Sequence, residues 1–448
     1  MTSTKKIARV VAIGATALLI GGGLAACAGG TGGSSSGGGS ASSIDEALKA
    51  GGELTYWTWT PSAKDQVAAF EKAYPNVKVN LVNTGGANDN NTKLQNAISA
   101  GSGIPDVVQI EYQSLPQFQL SGSLLDLTAY GFGDLQSDYT ASTWGAVSQN
   151  GGIWGLPQDS GPMALFYNKE VFDQFGLTVP KTWDEFVAAG EKLHAADPTK
   201  FITNDQGTDA GFGTSMIWQA GGRPFKTDGE NVTIDLNDAG AQKWTAVWDK
   251  LLASGSLGNI PGWSDQWFQA LGDGTIASLP IGAWMPGVLE ANVPGGKGKW
   301  AVAPMPTYDG TPATAENGGS SEVVMKGSKN QALAAGFLKW LNNSQDSIDV
   351  FLQSGGFPAT TKDLESSAFL DKSSDYFGGQ KINQVLVDAT KAVGTGWQYL
   401  PWQSYANSIY ADTVGKAYLN KTSIADGLKA WQDKNVSYGT DQGFSVNK

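Results

Sequence analysis

The sequence predicts an α/β protein folded as two lobes. Strand-like and helix-like segments alternate along the chain after residue 50, and strand–helix–strand repetition builds right-handed crossovers and parallel sheets. At 448 residues the chain exceeds one ordinary core, and chains of this length divide into lobes or domains. Hydrophobic residues make up 41% and charged residues 16%, a globular balance rather than a disordered one.

The chain starts with MTSTKKIARVVAIGATALLIGGGLAAC, residues 1–27. A basic start leads into an apolar run, Val10 to Ile20, too short and glycine-broken for a comfortable membrane span. It ends in small residues directly before Cys27, the only cysteine. The stretch LAAC resembles the bacterial lipobox, which implies a signal peptide and a diacylglycerol and palmitate anchor on Cys27. The tract AGGTGGSSSGGGSASS that follows buries nothing and predicts a flexible coil with a reach on the order of 20–25 Å. Residues 28–50 are therefore read as a Gly/Ser-rich linker that holds a folded body at the outer face of the cell membrane.

The body opens with ELTYWTW, a strand, and SAKDQVAAFEKAYP, a helix stopped before Pro75. VKVNLVN is a second strand, NNTKLQNAISAG a helix with a glycine C-cap, and DVVQI an apolar third strand. NTGGANDNNTK, residues 83–93, reads as an Asn-rich loop between them. TWDEFVAAGEKLHAADP is an amphipathic helix with Thr182 as N-cap. Its His194, the only histidine, suits a helix C-terminus, where the macrodipole favours it. KWAVAPMPTYDG and GGSSEVVMKGSKNQALAAGFLKWLN read as a strand, a turn and a helix. The last 90 or so residues read as helical, interrupted by GTGWQYLPWQSYANS. No repeat or phosphate-binding glycine loop occurs, and neither residues 83–93 nor DLNDAG, residues 235–240, has calcium-loop spacing.

Composition narrows the partners. The formal charge is −12, which disfavours nucleic acid. Among 30 basic residues only Arg9 and Arg223 are arginine. Anionic ligands are most often gripped by arginine forks, so an uncharged ligand is expected. A single cysteine and a single histidine leave no disulfide or Cys/His zinc site, and no cofactor or metal is expected.

From LTYWTW through FEKAYPNVKV, SGIPDVVQIEY, GGIWGLPQDSGPMALFYNKEVF, PKTWDEF, GDGTIASLPIGAW, APMP, GGSSEVVMKGSKN, AAGFLKWLN and GGFPA, the chain resembles the extracellular solute-binding lipoproteins of ABC sugar importers, the maltose-binding-protein group. The resemblance implies a two-lobed periplasmic-binding-protein fold with a hinge and an interlobe ligand cleft. Lobe one would hold residues 51–160 plus 305–353, and lobe two residues 161–304 plus 354–448. It further implies a membrane-anchored, monomeric receptor, not an enzyme, that delivers a neutral oligosaccharide to ABC permease subunits.

A neutral sugar offers hydroxyls and patches of C–H, so its site needs flat aromatic faces with convergent polar acceptors. Of 16 tryptophans, Trp244, Trp248, Trp340 and Trp431 sit in amphipathic helices and read as core, while Trp183 after a helix cap and Trp154 in a short strand read as structural. Trp59, Trp218, Trp263, Trp267, Trp284 and Trp402 fall in loops or at strand ends and are ligand candidates. Trp284 lines up with the family's sugar-stacking tryptophan. Asp159 in PQDSGP lies where the chain crosses between lobes, and Glu111 at the end of DVVQI points into the cleft. Gly319 and Ser320 match a family contact point, and Phe357 in GGFPA suits a hinge-side aromatic lid.

Two rivals are weighed. A cell-surface glycoside hydrolase would use Glu111 and Asp159 as its two carboxylates. An amino-acid or peptide receptor would need charged clamps, which the arginine count disfavours. Several separated tryptophans favour an oligosaccharide, read here as a manno-, xylo- or gluco-oligosaccharide.

Overall fold

Parallel pairing starts the first lobe. Strand β1 (Gly52–Thr58) lies between β2 (Val77–Asn83) and β3 (Val107–Glu111), parallel to both. The helices Ala63–Ala73 and Ala87–Ala100 make the crossovers. Alternation then works as expected: Leu54 and Tyr56 of β1 are buried and their neighbours only partly covered. The computed structural model describes residues 41–448, so the leader and Cys27 lie outside the described residues.

The sheet is completed from far along the chain. Ser320–Val324 pairs antiparallel with β3, setting Ser320 opposite Glu111, and antiparallel with β4 (Leu156–Pro157). Strand–helix–strand repetition predicts parallel pairing. The last two neighbours break that pattern because Ser320–Val324 enters the sheet on its way back from the other lobe, not through a local crossover. In the second lobe β5 (Met163–Asn168) pairs antiparallel with Ser278–Gly282 and Trp300–Ala303. The C-terminal Ser445–Asn447 adds a parallel strand to the hairpin Phe225–Ile234.

One core fills the first lobe, with Tyr56, Val108, Ile110, Val323, Phe337 and Trp340 among its members. Two adjoining clusters fill the second, one around Trp183, Trp244, Trp248 and Trp431 and one around Phe166, Trp300 and Phe377. Met305 and Ala315 pack into the second lobe's core, so the crossing placed at residue 305 from sequence comes later, after Ala315. Thr307 is the cause: it bridges to Thr182, and its carbonyl accepts the Trp183 N–H at 3.1 Å.

Local signals account for several boundaries. Thr182 and Glu185 form a reciprocal capping box at the start of helix Trp183–Ala196. His194 sits in its last turn, with Nδ1 3.1 Å from the Lys200 carbonyl and its ring stacked on Phe201.

Two segments differ from the sequence reading. Ala41–Ala50, within the expected linker, is a helix whose Ile44 and Leu48 are buried against the helix Gln331–Asn343. Gly336 makes room for them, because a β-carbon there would lie 2.9 Å from Leu48. The Asn-rich segment is helical from Ala87, and Asn90 and Asn91 point inward, donating to the Gln109 carbonyl at 2.9 Å and the Ser114 hydroxyl at 3.0 Å.

A candidate sugar cleft between the lobes

Three chain crossings lie side by side between the lobes. The segment after β4 bridges to the others at Asp159–Pro358 and Pro162–Glu316, and the Ser160 N–H donates to the Phe357 carbonyl at 3.3 Å. This makes a floor whose backbone groups are largely satisfied from within. Asp159 is its pivot. Its carboxylate accepts the Ser320 N–H at 2.6 Å, and its carbonyl accepts the Tyr112 hydroxyl at 2.8 Å. Burial pushes the Asp159 carboxyl up to about 7, with the nearby Glu316 and Glu111 carboxylates adding to the rise against the Ser320 N–H.

Gly319 has a different job from the one expected. Its φ is +95°, and a β-carbon would sit 2.7 Å from the Tyr112 ring. The glycine lets that ring seat itself on the floor, where the Tyr112 N–H donates to the Gly319 carbonyl at 3.1 Å. Ser320 is buried, with its N–H given to Asp159 and its carbonyl accepting the Gln158 N–H at 3.0 Å.

Glu111 ends β3 and accepts from the Gln113 amide at 2.8 Å. Burial raises its pKa; the Gln113 bond lowers it and the nearby Asp209 carboxylate raises it further. Gln113 in turn meets the other lobe, accepting from the Asn407 amide at 3.4 Å. Asp209 caps the second-lobe helix Ala210–Gln219 through the Phe212 N–H at 3.1 Å. Gln113, Asp209 and Asn407 were missed from the sequence. Gln113 lies two residues beyond Glu111, and the cap before an apolar helix was the only signal for Asp209.

Trp284 starts the helix Met285–Asn292, and its indole N–H donates to the Asn317 carbonyl at 2.6 Å. That bond ties it to the same floor. Trp263 lies over it with ring centroids 5.7 Å apart and planes at 31°, and is 54% exposed. Its φ is +65°, a left-handed conformation that a bulky side chain rarely adopts. Trp267 is buried beneath, 5.2 Å from Trp263, and serves as packing under the exposed ring. Trp59 follows the end of β1, half-buried, with its N–H held by the Gln109 side chain at 3.1 Å.

Two candidates pack elsewhere, and a third, Trp218, lies on the wall of another part of the interlobe space. The Phe357 ring is buried against Phe369, so it is core and not a lid. Trp402 is buried against Phe444 and donates to Asn435 at 3.2 Å, a C-terminal packing role. Trp218 stacks flat on Trp397, at 5.0 Å and 4°, and donates to the Gly394 carbonyl at 2.6 Å. It lines a cavity of about 970 Å³ between the lobes, which the floor residues Tyr112 and Glu316 share with Trp154, Trp397 and Tyr399. Trp154, read as structural, therefore also faces open space. Neither Trp263 nor Trp284 lines that cavity.

Comparison with known proteins agrees with this architecture. Residues 56–348 match the family described as bacterial extracellular solute-binding protein. The arabinooligosaccharide-binding protein of Bacillus subtilis (strain 168) is 30% identical over 405 residues, 85% of this chain and 88% of that protein. The ABC transporter associated binding protein of B. animalis subsp. lactis Bl-04, solved with β-1,6-galactobiose, is 42% identical, with a TM-score of 0.80 over 88% of this chain and 99% of that one. The galacto-N-biose-/lacto-N-biose I-binding protein of Bifidobacterium longum is 28% identical, with a TM-score of 0.78 over 89% and 99%. The fold is thus the two-lobed periplasmic-binding-protein fold, and the chain belongs to the bacterial extracellular solute-binding protein family.

Proposed function

We propose that this protein captures a neutral oligosaccharide between its lobes and delivers it to an ABC permease. One observation carries the reading. Exposed Trp263 lies over half-buried Trp284, which is bonded to the floor at Asn317, three residues before Ser320 and its partner Glu111. Glu111 and Gln113 of one lobe meet Asp209 and Asn407 of the other, and these polar groups include no arginine or lysine. Aromatic faces with uncharged donors and carboxylate acceptors suit hydroxyls and C–H patches, not phosphates or carboxylates. Arg223 is occupied elsewhere, donating to the Thr395 carbonyl.

The relatives' names, arabinooligosaccharide and galactobiose among them, widen the candidates beyond manno-, xylo- and gluco-oligosaccharides. A hydrolase using Glu111 and Asp159 is not favoured, because Asp159 is committed to the Ser320 N–H and the family is one of receptors. Calorimetric titration with all these oligosaccharides, lacto-N-biose included, tests the reading. It predicts one-to-one binding of at least one neutral sugar without release of reducing ends. Binding of none of them, or hydrolysis abolished in Asp159→Asn, overturns it.

The lipobox resemblance supports a lipid anchor at Cys27 on the outer face of the membrane. Intact-mass spectrometry of the membrane fraction should show a diacylglyceryl adduct that disappears in Cys27→Ser.

A further inference from the structure

Glu316 is buried among the three crossings, 3% exposed, with no lysine or arginine among the described residues in salt-bridge contact. A carboxylate in that position depends on hydrogen bonds to offset lost hydration. It accepts the Gly161 N–H at 2.6 Å, the Ser160 hydroxyl at 3.0 and 3.1 Å, and the Ser142 hydroxyl at 2.7 Å.

These partners belong to different bodies. Ser142 lies on the helix Ala141–Val147, whose Trp144 and Val147 are part of the first lobe's core. The Glu316 backbone goes with the second lobe. Its carbonyl accepts the Ser215 hydroxyl of helix Ala210–Gln219 at 2.8 Å, and the preceding Ala315 is in that lobe's core. The bonds to Ser160 and Gly161 stay within the crossings. Among the described residues the Ser142 bond is the one that joins the Glu316 side chain to a helix of the first lobe's body, outside the crossings, and it is made in the same arrangement that brings Gln113 to Asn407.

The geometry points to Glu316 as an interlobe latch: its bond to Ser142 holds the lobes in the arrangement seen here and so sets how much of the unliganded protein is ready to grip. Glu316 is a positioning residue, acting through the lobe equilibrium; it and Ser142 also line the cavity between the lobes, so the shape measurement and not affinity alone tests this role. Removing the bond shifts the population toward separated lobes, and apparent affinity falls by the competent fraction lost. The affinity consequence rests on the receptor reading above; the shape consequence does not.

Small-angle scattering of the full, unliganded protein tests the shape. Ser142→Ala and Glu316→Gln should each increase the radius of gyration, and Ser142→Thr, which keeps the hydroxyl, should restore the wild-type profile. Ser142 is only half-buried, so Ser142→Ala remains informative if Glu316→Gln fails to fold. For a sugar found by the titrations, affinity in Ser142→Ala should fall by about tenfold or more, the scale of a hydrogen bond to a charged group. Wild-type scattering from folded Ser142→Ala overturns the latch whatever the sugar does. Absence of any sugar binding would instead count against the receptor reading and leave the scattering result to decide the latch.

Discussion

Trp263 combines two features that stability alone would not select, an exposed indole and a left-handed backbone. Strain of this kind persists where surrounding structure holds it for a purpose. Replacing Trp263 by glycine removes the indole and suits the positive φ. Trp263→Gly should therefore leave the thermal midpoint unchanged or raised, while sugar binding weakens by more than about 1 kcal/mol, the mark of an energetically important contact residue. Unaltered affinity in calorimetry would remove Trp263 from the site. Trp284→Ala should also weaken binding by at least that much, with some stability lost alongside its bond to Asn317.

Residue type singled these two tryptophans out in the sequence as candidates, because both fall outside helical core spacing. It could not separate them from Trp402 and Trp218, which are equally loop-like locally. What buries those two is Phe444 and Trp397, and in the sequence nothing marks either as a partner. Asp159 was legible from its place between helix-breaking residues, but its bond to Ser320, 161 positions away, was not.

Among elements, the strands and helices with clear periodicity were readable: β2 spans Val77–Asn83, the same seven residues as the apolar alternation VKVNLVN. The helix Ala41–Ala50 was not, because its polar half merges with the Gly/Ser tract and its two anchors, Ile44 and Leu48, find their partner helix almost 300 residues on. Tertiary contact, not local propensity, makes this helix. Leu48→Ala should lower stability by about 2–3 kcal/mol, the lower range for a buried leucine. A denaturation midpoint equal to wild type would show that the helix is not docked in solution. The Asn-rich segment illustrates the same limit, since Asn90 and Asn91 become helical by bonding inward to Gln109 and Ser114.

At the scale of the molecule, two lobes were legible from length and motif order, but the path between them was not. Residues 305–315 look like the start of a return to lobe one, and only their pairing with Thr182 and Trp183 keeps them in lobe two. The crossings also gather carboxylates in a dry setting. Glu322 is fully buried and accepts from Tyr56 at 2.9 Å, from Gln158 at 2.7 Å and from Asn342. Burial pushes it up to about 8, as it pushes Asp159 up to about 7 and, away from the crossings, the second-lobe Asp205 bonded to Trp248 and Tyr418 up to about 6.

In the unfolded chain these carboxyls return to about 4. Between about pH 5 and 8 the folded state therefore binds more protons than the unfolded one, and stability falls as pH rises. The thermal midpoint should be higher at pH 5 than at pH 8, with a shallower slope in Glu322→Gln, which cannot titrate there. A midpoint that climbs across this interval would contradict the assignment.

The central claim concerns where a neutral sugar sits, and a crystal structure with a sugar that binds in calorimetry tests it most directly. The account predicts a pyranose or furanose ring against Trp263 or Trp284, with hydroxyls bonded to groups from both lobes such as Glu111, Gln113, Asp209 or Asn407. A sugar found instead in the cavity between Trp154, Trp218 and Trp397, with Trp263 and Trp284 untouched, would contradict it.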